Sequence, residues 1–415
     1  MSGPAGDGAG TATPPLVLKF GGSSFLELAD YREVARYVDA RATDRRVVVV
    51  VSGMSGTTGR LLESALSIDP DLAPEVQDQL LATAEMVSAG FLRAALDAEG
   101  CPAIELYAPQ LGISSDGNAT RARIRSIDPE PLLRAMARHR VVVVAGGQAT
   151  GPDGRITMLG RNSSDLTAVA LAAALGLDRC EIFSDVPGVF TADPYLVPEA
   201  RLLPALSYEQ CVQMSRSGAK VLHGASVAVG RAAGVAIVCR ALQGRGTCQR
   251  LTATAGSTVG VQASRWTSVV GDAKAQLFRL PAPADPRHQP EALLAQALAA
   301  LDAQGFETVT VAFGTETVLA FPGTQRGVAQ AMARTGLAAT SLSGFGLVST
   351  VEPDGSSERQ LAPLPELDAT VLRLHRQAGR SSAGTTEPTE NLLRAKRHSS
   401  YSSLLAGTPV TVPAC

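Results

Sequence analysis

Four short runs constrain this chain more than any other feature of its 415 residues: LVLKF at 16–20, VVVVVS at 47–52, VVVVA at 141–145 and CEIFSDV at 180–186. Each is continuously apolar over most of its length. A strand wetted on one face alternates apolar with polar residues, so an unbroken run points to a strand buried on both faces. Helical stretches lie between the runs. In LELADYREVARYVDARA, Leu28, Tyr31, Val34, Ala35 and Val38 fall on one stripe, and residues 75–98 and 164–176 also read as helices. Strands alternating with helices predict an α/β fold with a mostly parallel sheet.

The rhythm changes near residue 253. AKAQLFRL reads as a strand, EALLAQALAALDAQG as a helix, ETVTVAF and TETVLAF as a hairpin of strands, TQRGVAQAMARTG as a helix and LAATSLSGFGLVSTV as extended chain. That order, βαββαβ, is the ferredoxin-like unit. GFGLVSTVE could open a second such unit, but the residues after it do not repeat the pattern. Beyond residue 352 proline, serine and glycine rise, and AGRSSAGTTEPTE reads as a flexible loop. The cluster Arg394, Lys396, Arg397 and His398 is most simply a solvated face or tail.

Composition excludes several functions. Apolar residues make up 45% and charged residues 18%, which suits a soluble protein with a real core. A net charge of −2 asks for neither nucleic acid nor an anionic membrane. No apolar run reaches the roughly 20 residues that span a bilayer. The opening MSGPAGDGAGTATPP, residues 1–15, lacks a basic and then an apolar region and reads as a disordered leader. The six cysteines (101, 180, 211, 239, 248, 415) form no CxxC pair, and most sit in apolar runs as small hydrophobes. With five histidines and no ligand spacing, no protein-held metal is expected. The cytoplasm is the expected compartment.

Chemistry concentrates where strands end. KFGGSS (19–24) places two glycines and two serines between a strand and a helix, with Lys19 at the strand's end. It is neither GxxxxGK[ST] nor GxGxxG. Backbone amides there could cradle an anion, or the segment is an ordinary tight turn with a surface lysine. VSGMSGTTG (51–59), AGGQATGPDG (145–154) and FSDVPGVFTADP (183–194) are further loops at strand ends, where open α/β sheets bind ligands. In TMLGRNSSDLTAVALAAALG (157–176), Ser164 or Asp165 could cap the helix. Arg161 does not help a cap. A cation at the positive end of a helix dipole is favourable only with an anion beside it.

Taken together, these motifs resemble those of the aspartate kinases of the amino acid kinase family. KFGGSS, VVSGMSGTT, AEMVSA, LGRNSSD, SDVPGVFTADPY and GAKVLH occur in the family's order, and the resemblance covers residues 16–253. It implies a three-layer αβα domain that binds MgATP and an acidic amino acid and phosphorylates the β-carboxylate of aspartate. It implies further that Lys19 neutralises the transferring phosphoryl, that Gly21, Gly22 and Ser23 line the same anion, and that Asp165 orients the catalytic groups. Arg161 would take the substrate α-carboxylate and Glu85 its α-ammonium, with hydrogen bonds from Ser52, Thr58 and Ser164. Ser184, Asp185, Phe190 and Lys220 match nucleotide-holding positions. Residues 254–415 resemble the family's ACT-type regulatory region, with the second unit degenerate, and imply a homodimer formed through it.

The departures cluster at the same site. Asn162 and Ser163 replace two glycines, Gly147 an aromatic residue, Ala84 and Ala149 glycines, Pro187 an aspartate and Tyr195 an arginine. This pattern leaves three functions open: an aspartate kinase, a kinase of the same fold acting on another carboxylate, or a non-catalytic amino-acid-binding subunit.

Overall fold

The computed structural model describes residues 13–160, 162–219, 222–243, 252–253, 256–260, 262, 264–280 and 290–381. Most of the expected leader, Arg161, Lys220, Cys248, Cys415 and the basic cluster near 396 lie outside the described residues.

The four apolar runs are strands Leu16–Phe20, Val47–Val51, Val141–Ala145 and Arg179–Ser184. They are neighbours in a nine-stranded sheet. Ala103–Leu106, Val141–Ala145, Val47–Val51, Leu16–Phe20, Arg179–Ser184 and Ala236–Gln243 lie side by side in that order, all parallel. Continuous valine is required because both faces are covered. Val17, Val48, Val50, Val142 and Val144 point into one apolar cluster, with Leu166, Val169 and Leu171 of the helix Ser164–Ala174. Leu16, Leu18, Val47, Val49, Val51, Val141 and Val143 point into another, with Val34 and Val38 of the helix Leu28–Arg41 and Leu92 and Leu96 of the helix Pro74–Ala98. Alternate side chains of one strand thus belong to opposite layers, and the expected three-layer αβα arrangement is present.

Several details differ from expectation. Leu28 opens its helix and is 62% exposed, so the buried stripe begins at Tyr31. The segment 145–154 is more than a loop: Gln148–Thr150 pairs antiparallel with Ile156–Met158, in a second sheet with Ile113–Ser115 and Ile124–Ile127. These strands are too short to show a period in sequence. The large sheet also runs past the expected boundary at 253, because Ser257–Gly260 pairs with Ala236–Gln243 and Ala205–Ser207.

The C-terminal region contains the ferredoxin-like unit. Its sheet is ordered Val309–Phe313, Glu316–Phe321, Gln276–Leu280, Thr340–Leu342, so the second, third, first and fourth strands in sequence lie side by side, with helices Pro290–Ala303 and Val328–Arg334. The segment 337–351 does not stay in one sheet. Phe345–Val351 leaves to pair with Ser268–Asp272 and Ser357–Pro363. The helix Leu367–Ser381 packs on this three-stranded sheet through Leu367 and Val371, and it makes residues 378–381 of the expected loop helical. Strand Ser268–Asp272 comes before the ferredoxin-like unit and its partners after it, so one unit is inserted in the other. Among the described residues, no helix is long and apolar enough to cross a membrane.

Candidate active site

The carboxyl ends of the parallel strands converge on one place. Leu16–Phe20 delivers Lys19 and runs into a single 3-10 turn, Gly22–Ser24, closed by the Ser24 amide on the Gly21 carbonyl and the Phe25 amide on that of Gly22. The turn is tight. A Cβ on Gly22 would lie 3.0 Å from the Gly53 carbonyl oxygen, and one on Gly21 3.2 Å from Lys19 Nζ. The Gly21 amide donates to the Phe183 carbonyl, which brings Ser184 and Asp185 alongside the glycine turn.

Lys19 Nζ pairs with Asp165 Oδ1 at 2.7 Å, with side chains only 10% and 7% exposed. Asp165 stands in the first turn of Ser164–Ala174, where a carboxylate also faces the positive end of the helix. Its other oxygen, Oδ2, accepts the His223 amide at 3.3 Å. Neighbouring loops close round the pair. Ser52 donates to the Ser164 hydroxyl at 2.9 Å, and the Gly147 amide donates to Thr167 at 2.9 Å. A Cβ on Gly146 would meet Ser164 Cβ at 2.6 Å, so the chain there is held against the helix. Ser163 occupies the N-cap position but spends its hydroxyl on the Gly160 carbonyl, not on a helix amide. Capping therefore does not account for the polar residues at this helix end.

Glu85, from the middle of Pro74–Ala98, is buried beside the pair. Burial pushes its carboxyl up to about 7, against the opposing pull of the Gly53 amide, which donates to it, and of the Lys19 charge. Its Oε2 has no hydrogen-bond partner. An unpaired buried carboxylate oxygen is costly and suits a cationic ligand. Gly53 has to be glycine here, since a Cβ would sit 2.6 Å from that oxygen and 3.1 Å from Ala84 Cβ.

The structure thus gathers Lys19, Gly21, Gly22, Ser52, Glu85, Ser164 and Asp165. Thr58 lies in the first turn of Thr57–Ile68, beyond the left-handed Gly56. Ser184 donates to the Val186 carbonyl and accepts the Val186 amide, so its hydroxyl shapes its own turn, and Asp185 is exposed at the strand end. Phe190, expected at the nucleotide, is packed. Its ring is buried in an apolar cluster with Val197, Val269, Val348 and Val371, so it ties the kinase-like region to the three-stranded sheet. Asn162 takes a left-handed backbone, φ 59°, so a glycine-like conformation survives the replacement; asparagine tolerates it best among residues with a side chain. Tyr195 is 58% exposed, and its amide closes a turn on Asp193.

Sequence reasoning missed His223, although it ends the quoted GAKVLH, because nothing local places it against Asp165. It also missed Asp78, whose buried carboxylate accepts the amides of Thr120 and Met158 and is pushed up to about 6 by burial. Among the described residues no three His, Cys, Asp or Glu side chains cluster to hold a metal. The four described cysteines are free and buried, with burial pushing the thiol pKa up to about 11 at Cys101 and about 12 at Cys239.

A mostly parallel sheet with a glycine turn, a lysine and a buried acidic residue at its carboxyl edge has the layout of the α/β proteins that bind small anionic ligands. The sequence profile of the amino acid kinase family matches residues 14–240, and the chain belongs to that family. Over 226 residues it is 41% identical to an aspartokinase of Thermus thermophilus, a match covering 54% of this chain and 56% of that one. Over 209 residues it is 43% identical to an aspartokinase of Pseudomonas aeruginosa, covering 50% and 51%. The matched segment therefore spans about half the length of these curated relatives. The fold extends further. Aspartokinase III of E. coli, solved with aspartate and ADP, superposes with a TM-score of 0.70 at 18% identity, covering 87% of this chain and 99% of that one. An aspartate kinase from Synechocystis superposes at 0.52 with 26% identity, covering 91% and 71%.

Proposed function

We propose that this chain transfers the γ-phosphoryl group of ATP to the β-carboxylate of L-aspartate. The observation that carries the reading is the buried Lys19–Asp165 pair at the mouth of the glycine turn. Phosphoryl transfer to a carboxylate needs no proton removed from the nucleophile. The bond between the γ-phosphorus and its bridging oxygen breaks, a carboxylate oxygen bonds to that phosphorus, and ADP leaves. What the protein must supply is alignment and positive charge. Lys19 provides charge at the moving phosphoryl, and Asp165 fixes the ammonium's direction. The Gly22 amide, with Ser23, lines the phosphates beside Gly21, whose own amide is held by the Phe183 carbonyl. Ser184, Asp185 and Lys220 border the nucleotide.

Glu85 receives the substrate α-ammonium, which returns its carboxyl to the charged form, and Arg161 pairs with the α-carboxylate. Ser52, Thr58 and Ser164 complete the hydrogen bonding. Magnesium fits a site of this kind as a passenger on the nucleotide, since the described residues offer single carboxylates and not a cluster. When bound it would neutralise phosphate charge.

In this reading the chain acts in the cytoplasm on small molecules, without nucleic acid or membrane. It pairs with a second copy through the C-terminal region, where Val309–Phe313 and Thr340–Leu342 end the four-stranded sheet as edges.

The test traps the acyl phosphate. The purified chain is incubated with MgATP, hydroxylamine and each of a panel of amino and dicarboxylic acids. Hydroxamate with aspartate is expected. Hydroxamate only with another acid would re-assign the acceptor, and none with any acid would overturn the kinase reading.

A further inference from the structure

We propose that Glu307, in the turn before the second strand of the ferredoxin-like unit, is a positioning residue for acid binding: acting through His223, it holds Gly160 and Asp165 in place. The substrate side of this inference rests on the function proposed above.

The contacts run in a continuous chain. Glu307 Oε1 lies 3.0 Å from where a Cβ on Gly224 would stand, so the carboxylate touches the first residue of the helix Gly224–Ala233. Negative charge is favourable there. The residue before that helix is His223. Its amide donates to Asp165 Oδ2, and its imidazole Nε2 lies 3.6 Å from a Cβ position on Gly160, the first residue of GRNSSD. Burial pushes the imidazole pKa down, while Glu307 and Asp165 push it up. The other ring nitrogen, Nδ1, is buried with no hydrogen-bond partner, so the ring is held by packing.

A second set of contacts anchors the same turn. The Arg121 guanidinium lies over the Phe306 ring at 3.9 Å, and Gly305 packs against Arg121. Arg121 also donates to the Arg326 carbonyl, Arg123 pairs with Asp302 at 3.1 Å, and Arg326 donates to Gln77. The neighbouring Thr120 carbonyl is 4.0 Å from the Gly160 Cβ position. The turn therefore backs two groups that meet at Gly160, the His223 ring and the Thr120 carbonyl.

The Thr120 side of this contact needs such support. Among the described residues, the non-glycine positions with left-handed backbone are Thr120, φ 66°, and Asn162, φ 59°. Asn162 follows Gly160 by two residues, and Thr120 precedes Arg121, which the turn packs against. A β-branched residue in that region is strained, and such strain persists only where the surroundings over-determine it.

The test is a double-mutant cycle on the full chain with Glu307→Ala, His223→Ala and the pair. Glu307→Ala is expected to raise KM for the amino acid about fivefold, the upper range for a partly exposed charge at a helix end, with KM for ATP within about twofold. If Glu307 acts through His223, the double variant loses no more than His223→Ala alone. Additive losses, or equal effects on both substrates, would overturn the proposal. Amide exchange of the 159–166 peptide gives a readout independent of turnover. It should quicken in Glu307→Ala but not in Asp44→Ala, which removes an exposed pair with Arg45 that has no part in the turn; unchanged exchange in Glu307→Ala would overturn the coupling. Wild-type chain that makes no hydroxamate would defeat the kinase reading alone, and the exchange comparison would still decide the coupling.

Discussion

Replacing Glu85 with glutamine should stabilise the protein at pH 8 while destroying its affinity for an amino acid. Burial raises the Glu85 carboxyl from 4.5 to about 7 in the ligand-free site. A carboxyl whose folded pKa is raised binds its proton more tightly folded than unfolded. Its folded state is thus favoured below pH 4.5 and loses ground as pH rises from there to about 7. At 1.36 kcal/mol per unit, the ionised carboxylate costs the folded state up to about 3 kcal/mol at pH 8. Glutamine keeps the shape and removes that cost, so the variant's melting temperature should exceed wild type by roughly 5–10 °C at pH 8. At pH 4.5 the two should nearly coincide. The raised Asp78 carboxyl is common to both proteins and cancels in the difference. Calorimetry at the two pH values decides the matter. An equal shift at both, or none at pH 8, would refute the reasoning. The same titration predicts that kcat/KM for the amino acid falls as pH drops below about 7, because a neutral Glu85 no longer attracts the ammonium.

Three further outcomes are expected from the geometry. Asp165→Asn leaves the Lys19 ammonium buried without its counter-charge; turnover in the hydroxamate assay should fall by about 10²–10³, with the protein still folded by circular dichroism. Gly53→Ala drives a methyl into Glu85 and Ala84, so it should destabilise by about 1–3 kcal/mol and weaken amino-acid binding far more than ATP binding, both measurable by calorimetry. Phe190→Ala should cost about 3–5 kcal/mol of stability in denaturant titration yet leave KM for ATP within about twofold, since its ring packs in a core; a large rise in that KM would return Phe190 to the nucleotide site.

Much of the catalytic half is legible in the amino-acid sequence. The unbroken valine runs could only be strands covered on both sides, and the alternation of their side chains between two clusters confirms it. The 75–98 and 164–176 stretches carry their own helical periodicity. Lys19, Gly21, Gly22 and Ser52 are recognisable from motifs at strand ends and Ser164 and Asp165 from a helix start, where backbone amides and helix dipoles gather; Glu85, in mid-helix, is reached only through the family's motif. In the C-terminal region the βαββαβ order is readable from local patterns alone.

What tertiary structure decided was everything that depends on partners distant in sequence. Whether 337–351 is one strand or two depends on Ser268–Asp272, which lies beyond an entire inserted unit. Phe190 looks the same in sequence whether it faces a nucleotide or a core; only its neighbours Val348 and Val371 settle that it packs. His223 and Glu307 carry no local signal, because their meaning is proximity, of His223 to Asp165 and Gly160 and of Glu307 to Gly224. Periodicity and turn chemistry act over a few residues and are written in the chain. The burial of a charge, and the counter-charge that makes burial tolerable, exist only once distant segments have met.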